Sequence, residues 1–114
     1  MGIIIYILLT SYPPPVGYVN DFAGCIPFNY EQKITSVILE VKQKTGAEIA
    51  VVTIPTTEGE NITMYSVNIY KKWGIGEKGN GVLITVAMDN KRSWISKGYG
   101  LEGIIPDATA GSGW

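Results

Sequence analysis

Asp21, Asn80, Glu102 and Asp107 are the residues of this 114-residue chain whose side-chain oxygens are best placed to do chemistry. They stand in "VNDFAG", "KGNG", "GYGLEG" and "PDATAG", short segments at the expected ends of elements, where a rigid scaffold presents functional groups. Carboxylate, amide and backbone oxygens suit a hard cation, calcium or magnesium. Each residue also has a structural alternative. Asp21 suits the cap of the turn that follows it, Asn80 the turn before Gly81, and Asp107 an N-cap behind Pro106. Glu102 between glycines is as well suited to a solvated surface. No pair among the four has a spacing that by itself defines a site.

Composition narrows the chemistry further. The chain has no histidine, which removes Ser-His-Asp and Cys-His catalysis and histidine-ligated zinc. Its single cysteine, Cys25, excludes an intrachain disulfide, has no Cys-x5-Arg loop around it, and reads as a buried small residue. Nine basic against ten acidic residues, without a Lys/Arg cluster, argue against a nucleic-acid partner. Trp73, Trp94 and the tyrosines read as core or sheet-surface residues.

The stretch "WGIGEKGNGVLITVA" contains Gly74-x-Gly76-x-x-Gly79, the spacing of a dinucleotide fingerprint. That fingerprint needs its glycines after a strand and before a helix, so that the pyrophosphate meets the helix N-terminus. Here the order is reversed. The glycines follow an expected helix and precede an expected strand, so they end one and open the other, and no nucleotide partner is expected.

The elements that position these residues follow from local patterns. Asn29 and Gln32 have the spacing of a capping box, Gly46 supplies a left-handed stop, and Ile34, Val37, Ile38 and Val41 form one stripe expected to be buried. "EIAVVTIP", Glu48 to Pro55, reads as an inner strand covered on both faces. A second helix is expected over Ile62 to Trp73, with Asn61 as N-cap and Gly74 beyond its end; Ile62, Tyr65, Ile69 and Trp73 share one face. Asn61-Ile62-Thr63 also matches a glycosylation sequon.

"GVLITVA", Gly81 to Ala87, gives a second inner strand, and two such strands joined by a helix make a right-handed βαβ unit. Ser93 to Tyr99 is expected to return antiparallel beside it. The fold class is α/β, with a small mixed sheet built from a βαβ unit and an antiparallel hairpin. At the N-terminus, the apolar run Ile3 to Leu9 is too short to span a bilayer and lacks a preceding Lys/Arg. It reads as the remnant of an export signal, the alternative being an edge strand or a tail. Pro13-Pro14-Pro15 forms a linker, so residues 1–15 precede a domain over residues 16–114.

"PPVGYVNDFAG", "KTGAEIAVVTI", "YKKWGIGEKGNGVLITVA" and "KGYGLEGIIPDATAG" occur in an order and spacing that resemble the TPM domain. Members include a thylakoid-lumen acid phosphatase, a photosystem II repair protein, a worm acetylcholine-receptor modulator and many bacterial exported proteins. The resemblance covers about Pro14 to Gly111 and implies an α/β/α sandwich in an extracytoplasmic, often membrane-tethered protein. It also implies one of two functions: phosphate-ester hydrolysis assisted by a carboxylate-held cation that polarises the phosphate and activates a water, or a non-catalytic role in assembly or repair of membrane protein complexes. Members usually continue past the "PDA" segment with more helix, so part of one sheet face is expected to lack its cover here. Where the family has Lys-x-Asp-Asn-Gly-Val, this chain has Lys78-Gly79-Asn80-Gly81-Val82. The loop aspartate is missing.

Overall fold

β-branched and other apolar residues dominate "EIAVVTI", and this segment becomes the strand on which everything else is assembled. The computed structural model describes residues 12–76, 78–89 and 91–98. Its elements, in chain order, are β1 (Val19–Asp21), α1 (Phe28–Thr45), β2 (Glu48–Ile54), α2 (Ile62–Trp73), β3 (Gly81–Ala87) and β4 (Arg92–Lys97). The strands form one sheet in the order β1-β2-β3-β4. β1, β2 and β3 run parallel, and β4 returns antiparallel to β3. The sheet is therefore mixed, as expected, with β1 as an additional short strand.

Helix ends follow local chemistry in three places out of four. Gly46 stops α1 at φ 78°, and Gly74 stops α2 at φ 66°, a region that costs glycine nothing. Asn61 caps α2 by accepting from the Thr63 and Met64 backbone N–H groups. The start of α1 departs from expectation. Asn29 and Gln32 form no capping box; the helix begins at Phe28 with Pro27 in the cap position, and the Pro27 carbonyl accepts from the Tyr30 and Glu31 N–H groups. Proline brings a helix-compatible φ without a donor to satisfy, so the helix starts before Asn29 is reached.

The two helices lie on opposite faces of the sheet. Along β2, Ala50, Val52 and Ile54 face α2 and pack with Ile62, Ile69, Leu83 and Ala87, whereas Val51 faces α1 and packs with Val19 and Ile38. This strand is covered on both sides, which explains its unbroken apolar character. The strands are taken in sequence across the sheet, and helices on opposite faces then give the two crossovers opposite hands. One of them departs from the right-handed rule.

Cover is uneven between the faces. α2 packs over β3 and β4, and Tyr65 and Trp73 extend its buried side as the periodicity predicts. α1 leans mainly on β1 and β2; Ile38 sinks fully, Ile34 and Val41 are half-buried, and Val37 is 58% exposed. The expected four-residue buried stripe is thus narrower than its spacing implies, with Ile38 its one fully buried member among the described residues. Tyr12 also docks on α2, where its hydroxyl donates to Glu60 and accepts from Asn68, while Trp73 Nε1 donates to the Pro13 carbonyl. Among the described residues, no helix is long and apolar enough to cross a membrane.

Candidate functional site

Asp21 is the last residue of β1, and its carboxylate is spent on holding backbone. Oδ1 accepts from the Thr53 hydroxyl at 2.6 Å and from the Cys25 N–H at 3.1 Å; Oδ2 accepts from the Ile26 N–H at 2.9 Å. The Cys25 thiol adds a longer contact at 3.6 Å. Partial burial works against the charged form, but these donors outweigh it and hold the carboxyl below the usual aspartate range. Thr53 completes the arrangement by accepting from the Ala23 N–H, and its carbonyl accepts from the Phe22 N–H. Asp21 therefore caps the turn that follows it, the structural alternative its position allows.

Cys25 is exposed, not buried. It sits in the turn that Asp21 organises, beyond the strand end. A reader of the sequence also misses Asn20, which is fully buried and whose amide is satisfied on both sides: Oδ1 accepts from the Val16 and Gly17 N–H groups, and Nδ2 donates to the Gly17 and Val51 carbonyls. The two polar neighbours Asn20 and Asp21 fasten a three-residue strand to the sheet.

Asn80 lies at the other end. It precedes Gly81, which pairs with Glu48 at the start of β2, whereas Asp21 pairs with Thr53 near that strand's finish. Along the strand direction the two are roughly 20 Å apart at about 3.3 Å per residue. Asp21 and Asn80 cannot share one cation. Asn80 Nδ2 donates to the Gly46 carbonyl, and its own carbonyl accepts from the Glu48 N–H, so it stitches the glycine turn to the α1–β2 corner.

Around Asn80 the glycines do structural work. Gly76 and Gly79 adopt left-handed φ of 61° and 77°. A side chain at Gly76 would collide with the Gly81 backbone, and one at Gly98 with that of Gly79. The loop thus follows a helix and opens a strand, and its glycines let three stretches of backbone touch. Beside them is a depression of about 390 Å³ lined by Glu48, Gly74, Lys78 and Asn80. The Glu48 carboxylate accepts from the Gly76 N–H at 3.2 Å. Burial and the nearby Glu48 charge both push the Tyr70 hydroxyl pKa up. Glu48 escapes sequence reasoning, although it is the only charged residue in the β2 run and in that respect stands out.

Glu102 and Asp107 lie outside the described residues. The described chain leaves β4 at Gly98, whose N–H donates to the Gly81 carbonyl, at the Asn80 end of the sheet. Among the described residues, no three or more Asp, Glu, Cys or His side chains gather as a metal would require. One carboxylate, one amide oxygen and a neighbouring ammonium fall short of the six or more oxygens that calcium takes. These residues alone do not fit a cation.

Comparison with known proteins agrees with this geometry. The N-terminal domain of a P. gingivalis protein, solved by NMR, is 29% identical with a TM-score of 0.76; the match covers 81% of this chain and 60% of that one. The N-terminal domain of the cg2496 protein from Corynebacterium glutamicum, at 21% identity and TM-score 0.65, shares the fold over 79% of this chain and 59% of its own. The chain thus spans about three fifths of each of these structures. No curated protein matches it. The family model described as the TPM domain matches residues 19–112, and this chain belongs to that family.

Proposed function

We propose that this TPM domain is a non-catalytic interaction domain of an exported or membrane-associated protein, assisting the assembly or repair of membrane protein complexes. The observation that carries the reading is the use to which its best-placed polar groups are put. Asp21 and Asn80, at opposite ends of the sheet, each hold loop backbone in place, and so present shaped surfaces. Binding needs no nucleophile and no histidine base. The test is saturable binding of the full chain to a subunit of a membrane complex, measured with and without chelator. Binding unchanged by chelator and by Glu102→Gln or Asp107→Asn supports the reading; binding abolished by both treatments overturns it.

A second reading, metal-assisted phosphate-ester hydrolysis, is favoured by the word phosphatase in the name of the matching family model. It assigns calcium or magnesium to Glu102 and Asp107 with Asn80, and leaves Asp21 to its cap. Amide NMR shifts near Asn80 that saturate with calcium, together with hydrolysis lost in Glu102→Gln, support it. Full turnover in excess chelator rules this mechanism out.

A further inference from the structure

The domain holds Tyr12 and Pro13 through side chains. The Tyr12 hydroxyl donates to the Glu60 carboxylate, 2.8 and 2.9 Å from its two oxygens, and accepts from Asn68 Nδ2 at 2.8 Å. Its ring meets that of Tyr65 edge-on, with centroids 5.0 Å apart. Lys72 Nζ donates to the Tyr12 carbonyl and Trp73 Nε1 to the Pro13 carbonyl, each at 2.9 Å. Tyr65, Asn68 and Lys72 are spaced to share one side of α2, with Trp73 beside them, so a single helix face reads the whole dipeptide.

Three features make this contact resemble a bound peptide. Among the described residues, no backbone–backbone hydrogen bond joins residues 12–15 to the sheet or a helix, and Pro14, Pro15 and Val16 behind the dipeptide are exposed. Asn20 fastens the chain again only at Val16 and Gly17, so release of Tyr12 and Pro13 breaks no strand and no helix. The receiving residues are also held without the dipeptide. Asn68 Nδ2 donates to Glu60 Oε1 at 3.1 Å, and Tyr65 and Trp73 pack against the core cluster that includes Ile69 and Leu83. Finally, the chemistry is that by which proline-rich segments are recognised: aromatic rings and an indole N–H meet a segment whose prolines fix φ and bring no donor of their own.

We propose that this face of α2 is a recognition site for a tyrosine–proline segment of a partner protein, occupied in cis by Tyr12 and Pro13 until the partner displaces them. The proposal rests on the interaction reading above and names the surface and the kind of partner. Glu60 takes the proton of the tyrosine hydroxyl and Asn68 donates to its lone pair, which selects tyrosine over phenylalanine. The proline that follows stiffens the segment, so the two carbonyls reach Lys72 and Trp73 at low entropic cost.

The probe is a blocked Ser-Tyr-Pro-Pro-Pro peptide titrated into the isotopically labelled full chain and followed by NMR. Tyr12→Ala empties the site, so it should bind the peptide at least about tenfold more tightly than the wild-type chain, in which the dipeptide competes at high effective concentration. Tyr12→Phe, which keeps the ring on the core and gives up only the hydroxyl, is the second comparison and should gain about threefold. Saturable shifts are expected at the Glu60, Tyr65, Asn68 and Lys72 amides and the Trp73 indole N–H, and in the wild-type chain the Tyr12 amide should move with them. A peptide with phenylalanine for tyrosine should bind about tenfold more weakly, and Lys72→Ala, at an exposed position, should weaken the tyrosine peptide about threefold. Absence of saturable shifts in both Tyr12 variants, equal affinity of the variants and the wild type, or equal binding of the phenylalanine peptide overturns the proposal. Concentration-dependent shifts of the same amides without peptide would assign the site to Tyr12 of a second copy and overturn it too. The membrane-complex subunit is titrated in parallel. If it binds and the peptide does not, the tyrosine–proline site falls and the interaction reading stands; if only the peptide binds, the site stands and that reading falls; if neither binds, both fall.

Discussion

The two ends of the sheet each hold a carboxylate, and they use it differently. At the Asp21 end, the carboxylate is saturated by a hydroxyl and two backbone N–H groups, and a short strand depends on it. At the Asn80 end, Glu48 takes one backbone N–H and faces a depression, while glycines carry the structural load. A polar residue at a strand end is therefore no guide to chemistry until its partners are counted. One end is built from side-chain hydrogen bonds and the other from backbone contact, and substitutions should separate them.

The largest effect is expected at the glycine end. Gly76→Ala adds a Cβ against the Gly81 backbone at a left-handed φ, and should cost about 3 kcal/mol or more in urea unfolding. A loss below about 1 kcal/mol would mean that the loop yields easily and that backbone contact is not what holds this end.

Asp21→Asn should cost about 2 kcal/mol, because it removes charge-assisted bonds to Thr53, Cys25 and Ile26. The pH dependence has a definite sign. The folded pKa lies below the unfolded one, so the stabilisation is complete above the usual aspartate range and is lost as pH falls through the lowered folded value. Urea midpoints of the wild-type chain should drop on acidification, and Asp21→Asn should flatten that drop. An unchanged acid limb would assign the pH dependence to other carboxylates.

Smaller effects sharpen the contrast between expected and observed caps. Asn61→Ala should cost about 1 kcal/mol, whereas Asn29→Ala, which removes no cap, should stay within about 0.5 kcal/mol. Val37→Ala is the smallest, again within about 0.5 kcal/mol, since the side chain is mostly exposed. Equal losses at Asn29 and Asn61 would restore the capping box that the structure replaces with Pro27.

Much of the fold was legible because it is written in neighbouring residues. Gly46 and Gly74 as stops, Asn61 as a cap and the order helix, glycines, strand are local facts, and each reappears in the structure. The candidate site was less legible. Asp21 and Asn80 read alike as oxygen-bearing loop residues, but only the strand register shows them to be at opposite ends.

By itself, the sequence determined the helix stops, the doubly covered β2, the run of glycines between a helix and a strand, and the absence of histidine. Backbone propensity and hydrophobic period act over a few residues, which is why these features need no partner to be read. The tertiary structure alone decided that β1 exists, that the helices take opposite faces, that Cys25 is exposed, and that the Ser96 hydroxyl is buried without a hydrogen-bond partner among the described residues. Those depend on which distant segments meet: Asn20 on Val51, Asp21 on Thr53, α2 on β4. Such pairings are set by packing of the whole chain, and no spacing within one segment records them.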